Sequence, residues 1–150
     1  MAAKKSNSQK ASAKNKAGKP QKDEKRKNTK TEIDPNMTRQ MPIAWNFSRM
    51  DTGSRWKCSL SALEQYLQKV IGFEGQTAFD IFHNGNRHAH PIGTNKVCEN
   101  AQNRLDTLNI DVDVLHQLPL AQIPRLWGVL EHNIFHILWL DEDHTVCPTS

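Results

Sequence analysis

The sequence predicts an α+β domain, an antiparallel sheet with helices packed on one face, behind a disordered basic arm. Three features lead to this reading. The first 32 residues contain no aromatic and no branched aliphatic side chain. The middle third carries apolar residues at helical spacing, and the last third changes to the two-residue period of strands. We therefore place the arm at 1–40 and the folded domain at 41–150.

Charge divides the same way. The net charge of +4 hides two opposed parts. Residues 1–32 hold 11 basic and 3 acidic side chains, a net +8, whereas the remaining 118 hold 9 basic and 13 acidic, a net −4. An arm of this composition cannot bury enough apolar surface to offset its conformational entropy. Its basic character suits non-specific attraction to nucleic acid or ribosome, or simple solubilisation. The arm lacks the apolar stretch of a secretory signal, and no run approaches a membrane-spanning helix, so no membrane association is expected. Cys58, Cys98 and Cys147 are odd in number and have no CxxC spacing, which argues against a disulfide framework or zinc knuckle and makes the cytoplasm the expected compartment.

The first strand is expected in "MPIAWNF", where Met41, Ile43, Trp45 and Phe47 alternate with smaller or polar residues. "RMDTGSRWKC" reads as a loop. Ser61 and Glu64 have capping-box spacing ahead of Leu63, Tyr66, Leu67, Val70 and Ile71, the stripe of an amphipathic helix that Gly72 and Gly75 end. "TAFDIFH" predicts a short second helix with Phe79 and Phe82 inward, and "NGNRHAHPIG" a polar loop. A third helix from Asn95 puts Cys98, Ala101, Leu105 and Leu108 on one face and stops near Asn109. "DVDVLHQLPL", "PRLWGVLE" and "IFHILWLD" read as three strands, the last two joined by a His132-Asn133 turn in which Asn tolerates positive φ.

With that turn, the hairpin has two distinct faces. Leu126, Gly128, Leu130, Phe135, Ile137 and Trp139 form the uncharged face that helices should cover. Arg125, Trp127, Val129, Glu131, Ile134, His136, Leu138 and Leu140 form the other, where polar chemistry is possible. Arg125 is expected opposite Leu140, with Asp141, Asp143 and His144 emerging at its end of the hairpin. The structural alternative has Arg125 paired with Asp141 or Asp143 to fix the sheet edge, His144 solvated and His136 satisfied within the sheet.

The run "RLWGVLEHNIFHILWLDEDHTVCP", preceded by "RHAHPI" and "CENAQNRLDTL", resembles the C-terminal signature of a widespread set of small bacterial proteins, and the likeness covers most of 41–150. More distantly it is similar to the RelE/ParE superfamily of toxins from toxin–antitoxin pairs, many of which cleave messenger RNA on the ribosome. Arg125 and His144 match the arginine opening the penultimate strand and the ionisable residue just past the last strand in that superfamily. The resemblance implies attack of an RNA 2′-hydroxyl on the adjacent phosphate. Arg125 would stabilise the transition-state charge, His144 would act as general acid or base, His136 as a second proton-transfer group, and Trp127 would stack a base. Arg87, His88, Lys96 and Arg104 are the further candidates for RNA contact, and the implied partners are RNA or ribosome and a cognate antitoxin. The acidic body departs from the commonly basic body of such toxins.

Two other readings compete. A metal-dependent hydrolase would draw ligands from His83, His88, His90, Asp141, Asp143 and His144. A non-enzymatic RNA- or protein-binding module would use the basic arm, or the acidic rim around Asp141 to dock a basic protein. Gly72, Gly75 and Gly85 make neither a P-loop nor a dinucleotide fingerprint, so no cofactor is expected.

Overall fold

The computed structural model describes residues 40–83 and 89–148; the expected arm up to residue 39 lies outside them. In chain order the elements are β1 (Ala44–Asn46), α1 (Leu60–Leu63), a 3₁₀ turn (Glu64–Tyr66), α2 (Leu67–Ile71), α3 (Ala78–His83), β2 (His90–Gly93), a 3₁₀ turn (Thr94–Lys96), α4 (Glu99–Thr107), β3 (Val114–Pro119), β4 (Arg125–Glu131) and β5 (Ile134–Asp141). The class is α+β. The strands form one sheet in the order β1-β5-β4-β3-β2, antiparallel except that β1 runs parallel to β5, so the sheet is mixed.

Local chemistry explains most boundaries. The helix cap is Ser59, not Ser61: its backbone is extended and its Oγ accepts the Ala62 N–H at 3.2 Å, whereas Ser61 lies inside α1 with its hydroxyl turned to Ser59. The helix is also broken, tightening through Glu64–Tyr66 before resuming at Leu67. α4 starts at Glu99, later than the expected Asn95. It closes with Asn109 at φ 54, the Ile110 N–H reaching back to the Leu105 carbonyl and the Asn109 N–H to that of Asp106, both at 3.0 Å. This Schellman arrangement satisfies the last carbonyls of the helix.

β2 falls where a polar loop was expected. Pro91 sits in it because β2 is the sheet edge, where a missing N–H costs no ladder bond on the open side. The hairpin turn is 132–133 as expected, but His132 takes the positive φ, at 58°. Asn133 is instead an anchor, donating its side-chain amide to the Pro42 carbonyl and accepting the Ala44 N–H on its own carbonyl. Those two bonds set β1 beside the start of β5.

The register changes partway along the hairpin. Gly128 to Glu131 pair as expected, from Gly128 with Ile137 to Glu131 with Ile134; past a bulge between Trp127 and Gly128, Trp127 pairs with Trp139, Leu126 with Leu140 and Arg125 with Asp141. The extra residue on β5 is Leu138. A bulge of this kind reverses the facing of everything beyond it. Trp139 therefore joins Trp127 rather than Phe135, Leu140 moves to the Phe135 side, and Arg125 faces Asp141 instead of Leu140.

Both sheet faces are consequently covered. One core joins Leu118, Leu126, Phe135, Ile137 and Leu140 to Leu63, Val70, Ile81 and Phe82 from α1–α3. The second joins Leu115, Trp127, Val129, Leu138 and Trp139 to Ala101 and Leu105 of α4, with Trp56, Val97 and Val146. Ala101 and Leu105 are the residues whose spacing predicted that helix face; Phe82 is buried as expected, while Phe79 is half-buried against the His83 ring. α4 thus packs opposite α1–α3, because the bulge gives the second face two adjacent apolar side chains, Leu138 and Trp139.

Two outcomes follow from this packing. A Cβ on Gly128 would run into the His136 carbonyl and the Phe135 ring, so Gly128→Ala is expected to cost about 2 kcal/mol or more, read as a lower urea midpoint at unchanged slope. An unchanged midpoint would show that the bulge region yields easily. The second concerns His116 on β3, edge-on to Phe82 at 4.8 Å. Burial, with a smaller contribution from nearby His83, pushes its pKa down from 6.5 to about 4. The unfolded chain then takes up this proton first as pH falls, so stability is complete above the ordinary histidine value and declines as pH drops from 6.5 towards 4. His116→Leu should flatten that decline in urea midpoints measured between pH 6.5 and 4.5; an equal decline in the variant would assign it to other groups.

Candidate functional site

Arg125 is 5% exposed, and its Nη1 donates to the carbonyls of Ala121, Gln122, Ile123 and Pro124 at 3.0–3.2 Å. Its Nε is buried without a partner among the described residues. The guanidinium ties down the loop that leads into its own strand. Burial lowers its pKa and the Asp141 carboxylate across the ladder opposes that shift.

Asp141 is fully buried. One carboxylate oxygen accepts the Thr145 N–H at 2.9 Å and the Thr145 hydroxyl at 3.2 Å, and the other accepts the Val146 N–H at 2.8 Å. The Trp56 indole N–H then donates to the same Thr145 hydroxyl at 2.9 Å. This is a side-chain-closed turn, and it holds His144 half-buried at φ 57. Glu142 accepts from Gln65 and the Tyr66 hydroxyl on the exposed side, at 3.2 and 3.3 Å.

Trp127 is fully buried in the second core, so it cannot stack a base; this corrects the expected role, and the reason is that its face of the sheet is covered by α4 and the residues packed with it. Arg104 is likewise committed. Its Nε and Nη2 grip both oxygens of Asp51 at 2.9 and 2.7 Å. Lys96 is exposed on the turn before α4. Arg87 and His88 lie outside the described residues. The structure therefore sets Arg125 opposite Asp141, buries Arg125 and Trp127, and pairs the partly exposed Arg104 with Asp51.

Asp51 had no special mark in the sequence beyond its Asp-Thr-Gly turn, yet it is the most heavily bonded acid described. Besides Arg104 it accepts the Gly53 N–H at 2.9 Å and the Trp139 indole N–H at 2.9 Å. Burial alone would raise its pKa, but the Arg104, Gly53 and Trp139 donors outweigh it and hold the carboxyl well below the usual range. Gly53 leaves room for the guanidinium: a Cβ there would stand 2.6 Å from Arg104 Nη2.

A second polar group surrounds His136. Its Nε2 lies 3.1 Å from Glu131 Oε2, off the line of a well-formed hydrogen bond, and its Nδ1 is buried without a partner among the described residues. Glu131 also pairs through Oε1 with Arg49 Nη1 at 3.1 Å. Burial would raise the Glu131 pKa, and Arg49 and His136 together reverse that effect. Arg49 and Glu131 edge a cleft of about 590 Å³ whose walls include Met50, Ile110, Asp111 and Val112. That volume suits a small ligand. Its charge does not suit a phosphate, because the guanidinium is already paired and Asp111 adds a further negative charge. No group of three or more His, Cys, Asp or Glu side chains is placed to hold a metal among the described residues, and Asp141 has its oxygens turned to Thr145 and Val146.

If Asp51 is a structural hub, Asp51→Asn should clearly lower the unfolding midpoint, since an amide N–H then faces donors that the buried carboxylate accepts from, whereas exposed Asp143→Asn should leave it nearly unchanged. Chemical denaturation of both variants measures this; equal, small effects would remove Asp51 from that position. No protein-family model matches the chain, and no curated protein or solved structure matches it, so its function is argued from these residues.

Proposed function

We propose that the protein is a non-catalytic RNA- or ribosome-associating module, in which the basic arm supplies the attraction and the α+β domain is a stable, mildly acidic body. The observation that carries this reading is the position of Arg125. Cleavage of the RelE type needs that guanidinium to face a phosphate, and here it is buried and spread over four backbone carbonyls of its own loop. Trp127 is in the core and Arg104 is locked to Asp51, so neither is available for the RNA contact expected of it.

The charge split then decides where a polyanion would bind. A net +8 over residues 1–32 against −4 over the rest directs RNA to the arm and away from the body. Binding of this kind is driven by counterion release, so it is insensitive to sequence and weakens steeply with salt. Among the described residues no helix is long and apolar enough to cross a membrane.

Titration of the full chain onto a labelled single-stranded RNA, repeated with a full-length variant carrying Gln at the arm lysines, tests the proposal. We expect wild-type binding at low salt with a logarithmic slope of about −0.7 per neutralised phosphate, near-complete loss of binding in the variant, and recovery of intact RNA. Cleaved RNA would restore the toxin reading. Binding unaffected by the arm substitutions would place the RNA surface on the domain.

A further inference from the structure

Cys98 and Cys147 are remote in sequence but adjacent in space. Cys98, at the N-cap of α4, donates its backbone N–H to the Val146 carbonyl at 2.7 Å, which lays the 146–147 peptide directly against it. The Cys147 thiol donates to the Lys96 carbonyl at 3.5 Å, two residues before Cys98. The Cys98–Val146 hydrogen bond brings the main chain at Cys147 against the main chain of Cys98, the close approach that the short Cα–Cα span of a disulfide requires. Both residues are free thiols, both are partly exposed, and both pack at the margin of the second core. The two side chains also sense each other. Burial and then the Cys98 thiol raise the Cys147 pKa, with Lys96 opposing them.

Cys58 provides the contrast. It is fully buried in the first core, and burial, with a smaller push from Asp51, lifts its thiol to about 12. It has neither access nor thiolate for exchange.

We propose that Cys98 and Cys147 form an oxidation site, a vicinal thiol pair that closes reversibly into a disulfide by exchange with a small-molecule disulfide. The thiolate of one cysteine attacks a sulfur of the small disulfide, forming a mixed disulfide and releasing one small thiolate. The second cysteine's thiolate attacks the protein sulfur of that mixed disulfide and releases the other. Two protein thiols are oxidised, one small disulfide is reduced to two thiols, and the two protons from the cysteines end on them. Redox-sensing pairs of this type are the disulfides expected in a reducing compartment.

The bond would staple the segment after β5 to the start of α4. That segment contains the Asp141 turn, the Thr145 acceptor of the Trp56 indole, and Val146, which is fully buried in the second core. Oxidation would thus lock the closure of the α4 side of the sheet.

The test treats the native full chain with oxidised glutathione, quenches with an alkylating agent and digests with trypsin under non-reducing conditions. Expected is a crosslink between the peptides 97–104 and 126–150, with Cys58 alkylated only after unfolding, and a thermal midpoint that rises on oxidation and returns on reduction. Cys98→Ser and Cys147→Ser should each carry a single glutathione on the remaining partner and no internal crosslink. Separate glutathione adducts on both cysteines of the wild type, a disulfide through Cys58, intermolecular dimers only, or no modification would each overturn the proposal.

Discussion

The fold depends on one buried carboxylate. Asp51 receives a two-pronged guanidinium from α4, an indole N–H from β5 and a backbone N–H from its own loop, and its backbone extends the contact by donating to the Leu138 carbonyl and accepting from Cys58. Three segments, the 51–58 loop, α4 and β5, meet at this residue. A carboxylate this deeply placed is tolerable only while its donors stay aligned, because removing one leaves the buried charge short of a partner. The bulge at Leu138 belongs to the same arrangement. It turns Trp139 to the α4 side, where its indole nitrogen reaches Asp51 and its ring lies 5.1 Å from that of Trp56.

The other buried charges work similarly. Arg125 organises 121–124 and Asp141 organises 145–146, so the cluster that looks in sequence like the rim of a catalytic site is a pair of loop clamps at the strand end. At the cleft Arg49 is already paired with Glu131, and buried His136 sits beside Glu131 with its Nδ1 unpartnered among the described residues. An acidic, internally neutralised body attached to a strongly basic arm fits attraction of a polyanion to the arm better than turnover on the domain.

Much of the fold was legible because periodicity speaks directly of burial. Ala101 and Leu105, Phe82 and the three final strands follow from spacing, and the turn stands at 132–133 although His132 and not Asn133 takes the positive φ. What escaped has a common cause. The bulge depends on whether Gly128 can admit the Phe135 ring, β2 on whether Pro91 meets an open edge, and the parallel seating of β1 on Asn133 holding Pro42, and none of these leaves a periodic trace. Residue type identified Arg125, Trp127 and Arg104 as suited to RNA; it is silent on whether the protein itself uses the same donors and rings first. The Asp51–Arg104 pair spans 53 positions, and nothing local to either residue announces the other.

Arg125 is buried and bonded to its own loop, and the assignment of the strand end as structural rests on it. The decisive measurement is the thermal unfolding midpoint of full-length Arg125→Ala beside His144→Ala. The expected result is a large drop for Arg125→Ala, whose loop carbonyls lose their shared donor, and little change for His144→Ala, whose side chain carries no comparable set of bonds. Arg125→Ala melting with the wild type would contradict the account and return the arginine to the list of groups available for chemistry.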